Sequence, residues 1–246
     1  MVQQILPPTS PPQPDLIYPD SDGQPMADNT LQFHWIVTIK ENLERCFTDN
    51  PEIFVAGDLL WYPQEGDNKT RRAPDVMVVL GRPKGYRGSY QQWKEGNIAP
   101  QVVFEILSPG NTIGEMAKKL AFYQRFGVEE YYLYNPYVMD LGGWQRAEGP
   151  NPLLSPIADL NGWVSPRLGI RFETRLGQPL KIFGPDEQPF LTFVELDTLR
   201  QQAEQAQQLA EAARSQAEAE RDQLQERSDR LMAKLRELGI DPDTVL

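Results

Sequence analysis

Three side chains stand out for the chemistry they could do together: Asp75, Glu105 and Lys119. Glu105 lies inside the run QVVFEILSPG, among Val102, Val103, Phe104, Ile106 and Leu107. Burying an unpaired carboxylate costs several kcal/mol, so a Glu in such a strand needs a cation, a metal or a proton. Strand alternation puts Val103, Glu105 and Leu107 on one face and Val102, Phe104 and Ile106 on the other. Asp75 follows Pro74 and opens a second apolar run that ends at Leu80. Lys119 belongs to an amphipathic segment whose stripe of Ile113, Met116, Ala117, Leu120 and Tyr123 defines the packed side. At about 100° per residue, Lys119 lies roughly 40° from Tyr123 and reaches toward the sheet, whereas Lys118 points to water.

Two carboxylates and a lysine at one end of a sheet suit a hard divalent cation. Mg²⁺ takes one or two carboxylates and keeps several waters, which leaves positions for phosphate oxygens. Such an ion lowers the pKa of a bound water, and a neighbouring lysine orients that water or helps to deprotonate it. The same residues also suit a purely structural arrangement, with Asp75 at a turn and Glu105 salt-bridged to Lys119. Spacing alone does not separate the two.

The elements that must position these residues follow from periodicity. Asp28 or Asn29 can cap a helix with an apolar stripe at Leu31, Trp35, Ile39, Leu43 and Phe47, with Ile36 alongside. Ile53 to Tyr62, Pro74 to Leu80 and Val102 to Leu107 read as strands. A second helix starts at the capping-box pattern Thr112-x-x-Glu115 and ends at Gly127, and Glu130 to Tyr134 gives another strand. Helix, three strands, helix, strand packs naturally as an α/β mixed sheet flanked by helices. Further strand fragments follow at Gly169 to Phe172, Leu180 to Phe183 and Phe190 to Val194.

The flanks differ in texture. Residues 1–27 are rich in Pro, Gln, Asp and Ser and read as a flexible arm. The folded domain is expected over 28–195, a long Ala/Gln/Glu-rich helix over 196–239 and a tail over 240–246. From Leu196 to Leu238 a seam alternates spacings of three and four and is filled mostly by Leu and Ala. It reads as a coiled coil that lets the chain self-associate through 196–238, in competition with a single solvated helix.

The formal charge of −11 disfavours a generic nucleic-acid binder. Between Lys69 and Lys94, however, seven basic residues (Lys69, Arg71, Arg72, Arg82, Lys84, Arg87 and Lys94) meet one acid, Asp75. Tyr86, Tyr90 and Trp93 lie in the same stretch and are suited to stacking on bases. Cys46 is the single cysteine, so a disulfide framework and a Cys-based metal site are not expected. His34 is a lone helical histidine and is expected to pack rather than ligate. No apolar run approaches a membrane span, so a cytoplasmic protein is expected.

The segments APDVMVVL, VVFEILSPGNT and KKLAFYQRFGVEEYYLYNP, with GWVSPRLGIRF later, resemble the putative restriction endonuclease family of the PD-(D/E)XK nuclease-like superfamily. The match covers about residues 28 to 195. The resemblance implies a restriction-endonuclease-like core with Mg²⁺-dependent phosphodiester hydrolysis, Mn²⁺ as a substitute ion, and DNA as partner. It implies that Asp75 and Glu105 are the metal-binding acids. The motif wants Lys two residues after its acid, where this chain has Leu107. In this branch the lysine sits on the next helix, which by the KLAFY run is Lys119, the residue that helical geometry selects independently. Glu41 and Glu44 are candidates for an acid on the first helix. The alternatives are an inactive nuclease fold that serves as an interaction module through its C-terminal helix, and hydrolysis of another phosphate ester at the same site.

Overall fold

Runs of β-branched and aromatic residues with both faces covered build the centre of the protein. The computed structural model describes residues 16–23, 25–147, 149 and 152–239. In chain order the elements are α1 (Thr30–Cys46), β1 (Ile53–Gly57), β2 (Trp61–Tyr62), β3 (Val76–Leu80), β4 (Tyr90–Gln91), β5 (Val102–Ile106), α2 (Ile113–Phe126), β6 (Glu130–Asn135), β7 (Asp140–Arg146), β8 (Leu154–Pro156), β9 (Arg171–Glu173), β10 (Lys181–Phe183) and α3 (Phe193–Glu237). A six-stranded mixed sheet runs in the order β1-β3-β5-β6-β7-β8. Only β5 and β6 are parallel within it, and α2 makes the crossover between them.

Alternation along the strands separates two cores. Val76, Val78, Val102, Phe104 and Ile106 pack with Ile36, Ile39 and Leu43 of α1 on one face. Met77, Val79, Val103 and Tyr131 pack with Tyr123 of α2 on the other. The paired strands β9 and β10 add Phe172 and Ile182 to the α1 side. Asp75 precedes Met77 and Glu105 follows Val103 at the two-residue period, so both acids belong to the α2 face.

One of the two expected caps of the first helix is used, and several other local features depart from expectation. Asn29 is the cap of α1, its side chain accepting from the amides of Leu31 and Gln32. The inward face of that helix is Gln32, Ile36, Ile39 and Leu43, and Leu31 is turned outward. On α2, Ile113 is 90 % exposed and Tyr123 is the one buried residue among those described. The expected strand Ile53 to Tyr62 breaks after Gly57, where Asp58 takes a φ of 47°. That left-handed conformation is one that Asp tolerates better than most residues. Phe190 to Val194 is not a strand: Thr192 caps α3 in a reciprocal capping box with Glu195, and the helix begins at Phe193.

Of the N-terminal arm, residues 1–15 lie outside the described residues, as does the tail 240–246. The described end of the arm is held to the domain. Asn68 donates to the Ile17 carbonyl (2.8 Å), the Gly66 amide to the Tyr18 hydroxyl (2.6 Å) and Tyr62 to the Pro19 carbonyl (2.7 Å). The chain divides into two units, with the boundary in sequence between Phe190 and Leu191. The second contains α3, a 45-residue helix laced by pairs such as Arg200–Glu204 and Arg214–Glu218. Among the described residues, no helix is long and apolar enough to cross a membrane.

Candidate active site

The register of the sheet sets the site. Val76 of β3 pairs with Phe104 of β5 in antiparallel fashion, so one step outward Asp75 comes opposite Glu105. The Asp75 carboxylate accepts from the Ile106 amide at 2.6 Å. Glu105 is 2 % exposed, and both its oxygens are engaged: Lys119 donates to Oε2 at 2.6 Å and the Tyr123 hydroxyl to Oε1. The sequence-based triad therefore converges. Lys119 and Tyr123 are four apart on α2, one turn, and grip the same carboxylate. Tyr123 lies flat beneath Trp61, with ring centroids 6.5 Å apart and planes parallel.

Burial, and next the Glu105 carboxylate, hold Asp75 well above the usual carboxylate range. For Lys119 burial alone would lower the ammonium, but the Glu105 and Asp75 carboxylates outweigh it and raise it. Burial and the adjacent Glu105 push the Tyr123 phenol up, so it stays a neutral donor. Asp58, at the break after β1, is raised by burial and then by Asp22 and Glu105. Its amide donates to the carbonyls of Pro74 (3.1 Å) and Asp75 (3.3 Å), which ties that break to the start of β3.

These groups border a cleft of about 910 Å³. Asp58, Asp75 and Lys119 line it with Lys69, Arg71 and Arg72. Lys118, expected to face water alone, is exposed at the edge of the same cleft. Three others of the basic segment are used elsewhere: Arg82 and Arg87 both clasp Glu95 (3.0 and 2.7 Å), and Lys84 pairs with Glu44 (2.6 Å). Tyr90 is buried with its hydroxyl on the Ile98 carbonyl, and Trp93 packs on Tyr18, so of the three aromatics only Tyr86 stands in solvent.

The acids proposed for the first helix do not reach the site. Glu41 pairs with Lys40 and Glu44 with Lys84. Helix α1 instead offers Gln32, whose amide donates to the Ile106 carbonyl at 2.9 Å and accepts from the Asp28 amide at 2.8 Å. The Asp28 carboxylate in turn accepts from the Ser108 hydroxyl at 2.5 Å, holding the turn after β5.

Among the described residues no three His, Cys, Asp or Glu side chains gather closely enough to hold a divalent ion by themselves. Two carboxylates facing one ammonium leave a negative charge in excess, and the oxygens are hard donors. That set fits Mg²⁺ held by Asp75 and Glu105 with waters completing the shell.

Without metal, Asp75→Asn is expected to stabilise the fold by about 0.5–2 kcal/mol. The sign follows from the raised folded-state pKa. Stability from the neutral Asp75 carboxyl is fully present below the ordinary value of about 3.9 and is lost as pH rises through the raised one. Asn stays neutral throughout, so the advantage of the variant should vanish in acid and grow toward neutral pH. Urea melts of the metal-free proteins across pH check this; a variant less stable at neutral pH would contradict it.

A family model described as "Uma2: Putative restriction endonuclease" matches residues 4–176. Among solved structures, one similar chain is a putative nuclease belonging to DUF820 from Anabaena variabilis ATCC 29413. It is 14% identical, the alignment covers 56% of this chain and 72% of that one, and the TM-score is 0.41. No curated protein matches.

Proposed function

The chain belongs to the Uma2 family of putative restriction endonucleases, and on that premise we propose that it is a metal-dependent endonuclease hydrolysing DNA phosphodiester bonds in the cleft lined by Asp75 and Lys119. One observation carries this reading: two carboxylates at the adjacent ends of neighbouring strands lie by a single half-buried lysine where a cleft with a basic wall opens. Asp75 and Glu105 would hold Mg²⁺, with Mn²⁺ as substitute. The ion, when bound, supplies a water of lowered pKa and offsets charge on the scissile phosphate.

The residues of the chain do the rest. Lys119 keeps its proton through neutral pH because its carboxylate neighbours raise it. Its role is thus to orient the attacking water and to balance developing negative charge, not to act as the base. Tyr123 holds the Glu105 carboxylate in place from below. Lys69, Arg71 and Arg72 supply cations to the phosphate backbone along one side of the cleft.

The test is cleavage of supercoiled plasmid by the purified protein with Mg²⁺ or Mn²⁺, set against Glu105→Ala. Cleavage that persists unchanged in the variant would overturn the assignment. In binding measured with Ca²⁺, Lys69→Ala and Arg72→Ala should each lower the slope of log K against log[salt] by about 1, evenly across DNA sequences. Unaltered slopes would remove these residues from the interface.

One observation favours an inactive nuclease fold used as an interaction module: Lys119 and Tyr123 already occupy both oxygens of Glu105. That alternative predicts no divalent-ion binding by calorimetry.

A further inference from the structure

Helix α3 is 45 residues long and has no buried residue among those described. The leucines of its heptad seam stand in water: Leu196 is 43 % exposed, Leu199 52 %, Leu224 67 %, Leu231 57 % and Leu238 75 %. Its ion pairs, such as Arg214–Glu218 and Arg230–Glu226, lie at the surface and add little stability. Each leucine withheld from burial forgoes the main favourable term in helix association. A seam of this length needs an occupant, and the seam's own order of residues indicates which.

We infer that α3 pairs with the α3 of a second copy of this chain as an antiparallel two-stranded coiled coil, in register about its midpoint, Ser215. The two halves of the seam are unlike. The first half runs Leu196, Leu199, Ala203, Ala206, Ala210, Ala213. The second runs Ala217, Glu220, Leu224, Arg227, Leu231, Lys234. A parallel in-register pair sets every position against its own copy. It would stack alanine on alanine through successive layers, leaving them underfilled. It would also bring Glu220, Arg227 and Lys234 each against a like charge.

Reversing one helix removes the like-charge contacts and confines alanine against alanine to the central pairing of Ala213 with the partner's Ala217. Ala206 then meets the partner's Leu224, Ala203 the partner's Arg227, and Ala210 the partner's Glu220. Leu199 meets the partner's Leu231, and Leu196 the stem of the partner's Lys234. Leu224, Glu220 and Arg227 thus each face an alanine, Leu199 and Leu231 fill a layer of their own, and the charged heads reach water while their stems cover the seam. At 1.5 Å per residue the overlap spans on the order of 68 Å. An interface along that length falls in the range of stable dimers, roughly 1,200–2,000 Å² in total.

The test uses the full chain with Cys46→Ser, which leaves introduced thiols as the only ones. Sedimentation at micromolar concentration should give twice the 28.1 kDa chain mass. Under mild oxidation, Leu199→Cys alone and Leu231→Cys alone should fail to cross-link, while a mixture of the two should give a disulfide-linked dimer. Leu231→Asp, with no cysteine added, should weaken the dimer by at least about tenfold. A monomer, self-cross-linking of Leu199→Cys, or a dimer indifferent to Leu231→Asp would each overturn the proposal. None of these readouts involves cleavage, so they stand apart from the nuclease assignment.

Discussion

Glu105→Gln should lose plasmid cleavage by on the order of 10³-fold or more while the protein stays folded. The amide has nearly the shape of the carboxylate, and its oxygen can still accept from Lys119 or Tyr123. What disappears is the negative charge that, with Asp75, makes the pocket attractive to a divalent ion. Retained circular dichroism with lost cleavage separates this from unfolding. Raising the metal concentration should recover part of the rate if the lesion is in ion affinity. Wild-type cleavage by Glu105→Gln would remove the residue from the chemistry and leave the ion pair with Lys119 as a structural feature.

Lys119→Met should lower the single-turnover rate by about 10²–10³, the usual loss when one preorganised electrostatic group is removed. It should also cost stability, on the order of 3 kcal/mol, because the buried Glu105 carboxylate loses its cation. The double variant Glu105→Gln/Lys119→Met tells the two effects apart. With neither charge present most of the stability should return, whereas activity should not. A double variant as unstable as Lys119→Met alone would mean that the pair is not coupled in the way the 2.6 Å contact indicates. Since Lys119 is raised rather than lowered, the pH–rate profile should show an acidic limb from Asp75 and no limb near neutrality from the lysine.

Much of this site is legible in the sequence because it rests on short-range periodicity. A period of two sets Glu105 on one face of its strand, and a helical period brings Lys119 toward the sheet; that Asp75 comes opposite Glu105 follows from the pairing of β3 with β5. The order helix, three strands, helix, strand also survives, with β2 and β4 as additional two-residue strands. What the sequence conceals depends on contacts between distant segments. Tyr123 reads as a core aromatic because nothing local says that its hydroxyl meets a carboxylate eighteen residues back. The one local sign is its spacing of four from Lys119.

Asp58 is hidden because IFVAGDLLWY is apolar enough on both sides of it to read as one strand. Only the Gly57-Asp58 pair hints at the break, and hydrogen bonds to Pro74 and Asp75 fix it. Gln32 rather than Glu41 or Glu44 faces the site because α1 is rotated toward Ile36. Two acids on the solvent side of that helix find Lys40 and Lys84 instead. The basic stretch divides for a similar reason. Glu95 lies one residue beyond it in sequence but between Arg82 and Arg87 in space, so both cations are engaged there.

The most direct test is a crystal soaked in Mn²⁺ and measured for anomalous scattering. One peak within about 2.5 Å of carboxylate oxygens of both Asp75 and Glu105 is predicted, and it should be missing in Asp75→Asn. An empty pocket at saturating Mn²⁺, or an ion bound elsewhere in the cleft without these two carboxylates, would contradict the assignment.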